Sequence, residues 1–150
     1  MEKGSLKFLV DENISPKLVT ILNKLGERSV YSLHREDAYR GQDDEVWLPL
    51  ASQRGFICVT CDCQMLCDQG IATVLRDSQA TVIFLASNFA RSRTWDQALW
   101  LLRHWRKIKA FAEGMRPGQL VKVYQNGRIA PVRADGVQRR RRRSNGQAGA

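Results

Sequence analysis

With 150 residues, 43% of them hydrophobic and 26% charged, the chain suits one globular domain and is too short for two of ordinary size. No apolar run approaches the ~20 residues of a membrane span, and Met1–Lys7 has no signal-peptide core, so a cytoplasmic location without a membrane partner is expected. The formal charge is +9, more than half of it from Arg139–Arg143, and suits a polyanionic partner.

Lys7-Phe8-Leu9-Val10 reads as a short buried strand that runs straight into Asp11-Glu12-Asn13. Ser15 is a favourable N-cap and Pro16 suits the first helical position. Leu18, Ile21, Leu22 and Leu25 then keep one apolar stripe until Gly26 stops the helix. Ser29–Leu33 reads as a second strand. A polar stretch from His34 to Gln42 leads to Asp43-Asp44-Glu45, an acidic first turn favourable at the positive end of a helix dipole. Pro49 lies too deep for an unbroken helix and predicts a kink or a delayed start. After Gly55, Phe56–Thr60 forms a third strand that ends at Asp62. Gln64 to Arg76 supports a helix or an irregular turn with a helix, weakened by Gly70.

Thr81–Ala86 is a continuous apolar run of the kind found in a strand covered on both faces. Thr94 is the expected N-cap of a long helix whose apolar face is Trp95, Ala98, Leu99, Leu102, Trp105 and Ile108. Trp100 lies off that face, and core packing outranks base stacking as the role of Trp100 and Trp105. Asn126-Gly127 between Gln119–Tyr124 and Arg128–Val132 signals a hairpin, and Pro131 marks its second arm as an edge strand. From Arg133 the apolar residues run out, and a disordered basic tail is expected. Strands alternating with helices predict an α/β domain of three layers, α/β/α, with a mainly parallel sheet. The domain is expected over 5–132, with a core at about 6–113, an appended hairpin at 119–132 and the tail at 133–150.

All four cysteines fall between Cys58 and Cys67, and in the cytosol they should be reduced thiols. Cys58-x-x-Cys61 has the spacing of a zinc knuckle. Residues three apart on a strand face opposite ways, however, and His34 and His104 offer no second ligand pair. Small residues lining a strand and its exit are the preferred reading.

Acidic residues recur where chemistry is expected. In an open parallel sheet, ligands bind at the carboxyl ends of strands. Asp11 and Asp62 each follow a strand and would emerge at one edge, where the helix start at Asp43-Asp44-Glu45 can reach them. Converging like charges raise one another's pKa unless a cation relieves them, and oxygen-only ligands suit Mg²⁺ or Mn²⁺. Such a site can activate water against a phosphodiester. The bland reading of Asp11 is a strand end that caps a turn.

Phe8-Leu9-Val10-Asp11-Glu12-Asn13-Ile14-Ser15-Pro16, Asp44-Glu45-Val46-Trp47 and Val59-Thr60-Cys61-Asp62 together resemble the PIN-like superfamily, and within it the toxin-type domain similar to VapC-type toxins. The resemblance spans roughly Leu6 to Glu113. It implies a Mg²⁺- or Mn²⁺-dependent endoribonuclease with an RNA substrate and a cognate antitoxin, and a homodimer is carried with it. The metal-binding acids would be Asp11, Asp44 and Asp62, with Glu12 or Glu45 orienting the attacking water or supplying a further ligand. Where many relatives carry a further acid this chain has Gln64, and Asp68 is the substitute on offer. Arg91, Arg93 and Arg103 are candidates for backbone phosphates, as are Arg139, Arg140 and Arg141 of the tail.

Two rivals stand beside this reading. A phosphoacceptor receiver domain also has an acidic pair after strand one and an Asp after strand three. It needs a lysine at the end of its fifth strand, and none follows the strand at 81–86. The other rival is a catalytically inactive nucleic-acid-binding module that uses the arginine run.

Overall fold

The computed structural model describes residues 6–135. Within them the chain forms β1 (Phe8–Val10), α1 (Pro16–Lys24), β2 (Val30–Ser32), α2 (Asp44–Gln53), β3 (Ile57–Thr60) and α3 (Gln69–Ser78). There follow β4 (Thr81–Leu85), α4 (Ser87–Arg91), α5 (Thr94–Ala112), β5 (Leu120–Val123) and β6 (Ile129–Pro131). Tight 3₁₀ turns occupy Leu33–Arg35 and Cys63–Leu66.

The six strands lie in the order β2-β1-β3-β4-β5-β6, and every neighbouring pair is parallel except β5 and β6. Side chains alternate between the two faces of each strand, so a sheet covered on both sides needs apolar residues at successive positions. Phe8, Val10, Val59, Ile83, Leu85, Val121 and Val123 share one core with Leu18, Leu22, Leu101, Trp105 and Ile108 of α1 and α5. Leu9, Cys58, Val82 and Phe84 share the other with Trp47, Leu48 and Ala51 of α2 and Ile71 and Leu75 of α3. The result is the expected α/β/α arrangement. Among the described residues no helix is long and apolar enough to cross a membrane.

The start of α1 follows its sequence signals. Ser15 Oγ accepts from the Lys17 N–H at 3.3 Å, Pro16 opens the helix, and Gly26 follows its end at φ +100°. Other elements depart from expectation. The helix α2 passes through Pro49 without a break, because burial of Trp47, Leu48 and Ala51 outweighs the ~3 kcal/mol cost of an internal proline. The buried ridge of α5 is Gln97, Leu101, Trp105, Ile108 and Ala112, whereas Trp95, Leu99 and Leu102 are exposed. Thr94 is the first residue of α5 rather than its cap; Arg93 holds that position. The hairpin is not appended: its first arm, β5, is a full strand of the sheet in register with Val82–Leu85, and β6 with Pro131 forms the edge. Beyond it, the Val132 N–H donates to the Leu120 carbonyl at 3.0 Å and Ala134 packs against the α2/α3 core. Arg139, Arg140 and Arg141 lie outside the described residues.

The chain leaves β1 for β2 on one side and returns to β3 on the other, so the carboxyl ends of β1 and β3 flank the point where the winding reverses. In doubly wound sheets this is where a crevice opens for ligands.

Candidate metal centre at the carboxyl edge of β1 and β3

Asp11 and Thr60 are brought together by the register that pairs Val10 with Val59. The Asp11 N–H donates to the Val59 carbonyl at 2.9 Å. The Thr60 hydroxyl donates to Asp11 Oδ2 at 2.8 Å and accepts from Asn13 Nδ2 and from the Asp62 N–H, both at 3.1 Å. One donor and two acceptor positions are all that a hydroxyl offers, so Thr60 is fully committed to holding this rim. On its other side Asp11 Oδ1 accepts from the Glu12 N–H at 2.6 Å. In the sequence Thr60 belongs to the strand-end motif Val59-Thr60-Cys61-Asp62, and its place two residues before Asp62 is the only local signal of this role.

Asp11 is 7% exposed. Burial pushes its carboxyl up from 3.8 to about 6; the hydrogen bonds from Thr60 and Glu12 pull the other way, and the charges of Asp44 and Asp62 push it further up. Asp44 is also raised, first by burial and then by Asp62, Glu45 and Asp43, against the pull of the Trp47 indole, whose Nε1–H donates to Asp44 Oδ1 at 2.8 Å. Three acids distant in sequence thus feel one another's charge at one edge of the sheet. Asp62 Oδ1 accepts from the Gln64 N–H at 3.1 Å in its own turn.

The remaining acids differ. Glu12 Oε1 accepts from the Gly41 N–H at 2.9 Å, and His34 Nε2 donates to the Glu12 carbonyl at 2.9 Å, so Glu12 ties down the loop before α2. Glu45 is exposed in the first turn of α2. Asp68 caps α3 by accepting from the Ile71 N–H at 2.9 Å. Arg91 ends α4 and Arg93 precedes α5, close behind the carboxyl end of β4. Arg103 lies ten residues beyond Arg93 along α5, about 15 Å further on.

In kind, the donors fit a hard divalent cation: they are carboxylate oxygens whose mutual repulsion a cation would relieve. They are not preassembled. Among the described residues, no three His, Cys, Asp or Glu stand together as a metal-binding group. Cys58 and Cys61 belong to the cores on opposite faces of the sheet, and burial pushes their thiols up to about 12 and about 11, which disfavours the thiolates that zinc requires. The fifth strand does carry a lysine, contrary to expectation, because β5 comes from the hairpin. Lys122 Nζ lies 5.3 Å over the Tyr124 ring.

A family model described as "PIN like domain" matches residues 6–87, more than half of the chain, and that span contains Asp11, Asp44 and Asp62. The match stops short of α5, which the sequence resemblance had included. No curated protein and no solved structure matches the chain.

Proposed function

From the premise that the chain belongs to the PIN-like domain family, a nuclease superfamily, we propose that it hydrolyses RNA phosphodiesters at the carboxyl edge of β1 and β3. The observation that carries this reading is Asp11, a buried carboxyl pushed up to about 6 beside two further acids. Asp11, Asp44 and Asp62 would hold Mg²⁺ or Mn²⁺, drawing together from the spacing they have in the free protein. Bound there, such a cation supplies the charge that acidifies a water and stabilises the leaving oxygen.

The chain's own groups prepare that site. Two hydrogen bonds fix the Asp11 carboxylate and leave about half of its acceptor capacity open. Thr60 couples Asp11 to the turn that carries Asp62. Glu12 is engaged by Gly41, which favours the exposed Glu45 as the group that orients the attacking water. Arg91 and Arg93 would take backbone phosphates at the rim, with Arg103 extending the track. A cognate antitoxin and self-association belong to the same reading.

The test is cleavage of single-stranded or transfer RNA with Mg²⁺ or Mn²⁺. Cleavage lost in the Asp11→Asn, Asp62→Asn double variant supports the assignment, and cleavage that survives in it overturns the assignment. The strand order 2-1-3-4-5 and Lys122 keep the receiver reading in play. A phosphoryl adduct on Asp62 after treatment with a small phosphodonor, read by intact mass, would favour that reading instead.

A further inference from the structure

We propose that a second cavity on the same edge, at the carboxyl ends of β4 and β5, is a nucleobase subsite and that the base it takes is guanine; the proposal rests on the nuclease reading above. The cavity holds about 130 Å³ and is lined by Ala86, Asn88, Ser92, Asp96, Trp100 and Gln125, among others. Ordinary small-molecule sites run to ~300–1,000 Å³, so this one suits a single ring system.

Two hydrogen bonds tie parts of its lining together. Trp100 packs edge-on against Phe89 at 5.5 Å, and its Nε1–H donates to the Gln125 carbonyl at 2.9 Å. The His104 ring lies 4.8 Å from the indole as well, and, with its only donor used, what the indole adds to the cavity lining is apolar ring surface for a base to stack on. Asn88 Nδ2 donates to Gln125 Oε1, joining the loop after β4 to the turn after β5. That bond leaves the Asn88 carbonyl oxygen as an acceptor and the Gln125 amide nitrogen as a donor. Asp96, exposed in the first turn of α5, adds a carboxylate that forms no ion pair among the described residues.

Those atoms select the ligand. A phosphate is disfavoured because the lining holds Asp96 and no cation. A purely apolar group would leave two amides and a carboxylate unsatisfied. A planar base that presents adjacent N–H donors to the Asp96 carboxylate and a carbonyl to the Gln125 amide N–H satisfies both groups, and among the RNA bases that pattern is the Watson–Crick edge of guanine. Unstacked bases of single-stranded RNA are recognised in this way, by stacking together with edge hydrogen bonds.

The location fits a strand that also crosses the acidic centre. β3 and β5 are two strand spacings apart, roughly 10 Å. Between them Cys63, next to Asp62, sets its Sγ–H on the Leu85 carbonyl at 3.5 Å, directly before the cavity residue Ala86. A nucleotide held at one place therefore positions its neighbours at the other.

Two measurements separate this proposal from the nuclease reading. In the first, GMP, AMP, CMP and UMP are titrated without metal into the Asp11→Asn, Asp62→Asn protein. The indole N–H resonance of Trp100 is followed, assigned by its loss in Trp100→Phe. GMP should move that resonance and bind at least about fivefold tighter than the other three, and Asp96→Asn, an exposed substitution that leaves the fold intact, should erase the difference. In the second, cleavage sites are mapped on a randomised single-stranded RNA. A guanine should stand at a fixed offset from the cut in the wild type and lose its dominance in Asp96→Asn. Equal affinity for the four mononucleotides, preference for another base, or an unmoved Trp100 resonance would overturn the subsite, even if the protein cleaves RNA. Selective GMP binding by a protein that cleaves no RNA would uphold the subsite and remove the nuclease reading.

Discussion

At the amino edge of the sheet, Lys109 Nζ meets Glu27 at 2.8 Å, and Lys7 Nζ donates to the Arg54 carbonyl at 2.7 Å while lying 4.6 Å over the Phe56 ring. At the carboxyl edge, Asp11, Asp44 and Asp62 lie within reach of one another's charge, and burial first and then neighbouring acids raise the first two. One edge places cations on acceptors; the other collects acids that, among the described residues, form no ion pair. Stability alone would favour the first arrangement everywhere, so the second is the edge at which a functional site is to be sought.

The contrast can be broken most severely at Asp62. Asp62→Asn should lower RNA cleavage by roughly 10³-fold, the several kcal/mol expected when a carboxylate is removed from a metal site, with little change in melting temperature. Single-turnover cleavage rates beside a thermal melt check both halves of that statement.

Asp11 sharpens the comparison through pH. Its folded pKa of about 6 lies above the ordinary 3.8, so its ionisation opposes folding. The penalty, up to about 3 kcal/mol, is fully present above pH 6, shrinks as pH falls from 6 to 3.8 and is absent below. Asp11→Asn should therefore be inactive yet more stable than the wild type at pH 8, and the gain should fade by pH 4. Chemical denaturation across that range without metal is the measurement.

Thr60→Val removes the hydroxyl shared by Asp11, Asn13 and Asp62. It should cost about 1–3 kcal/mol of stability and raise the pKa of Asp11, because the Thr60 bond pulls that value down. A pH–rate profile whose acid limb moves upward would register the second effect. The smallest effect belongs to the amino edge: Lys109→Ala should cost under about 1 kcal/mol, since both side chains are partly exposed, and leave cleavage unchanged.

The features legible in the sequence were those fixed by local rules. Ser15-Pro16 started a helix, Asn126-Gly127 turned a hairpin, and Asp11 and Asp62 fell at the ends of strands that lie side by side. What escaped depended on contacts between distant segments. Along α5 the spacing of Trp95, Leu99 and Leu102 is as helical as that of Leu101, Trp105 and Ile108, and only the neighbouring sheet decides which ridge is buried. Nothing local distinguishes a hairpin that stands apart from one whose first arm docks on β4. The role of Thr60 required knowing that β1 and β3 are adjacent, and the cavity around Trp100 gathers side chains from α4, α5 and the β5–β6 turn.

Calorimetric titration of Mn²⁺ into the wild type and into Asp11→Asn at pH 8 tests most directly whether the acids of the carboxyl edge form a cation site. Saturable binding by the wild type that is lost in the variant is the predicted result. Equal heats from both proteins would contradict it.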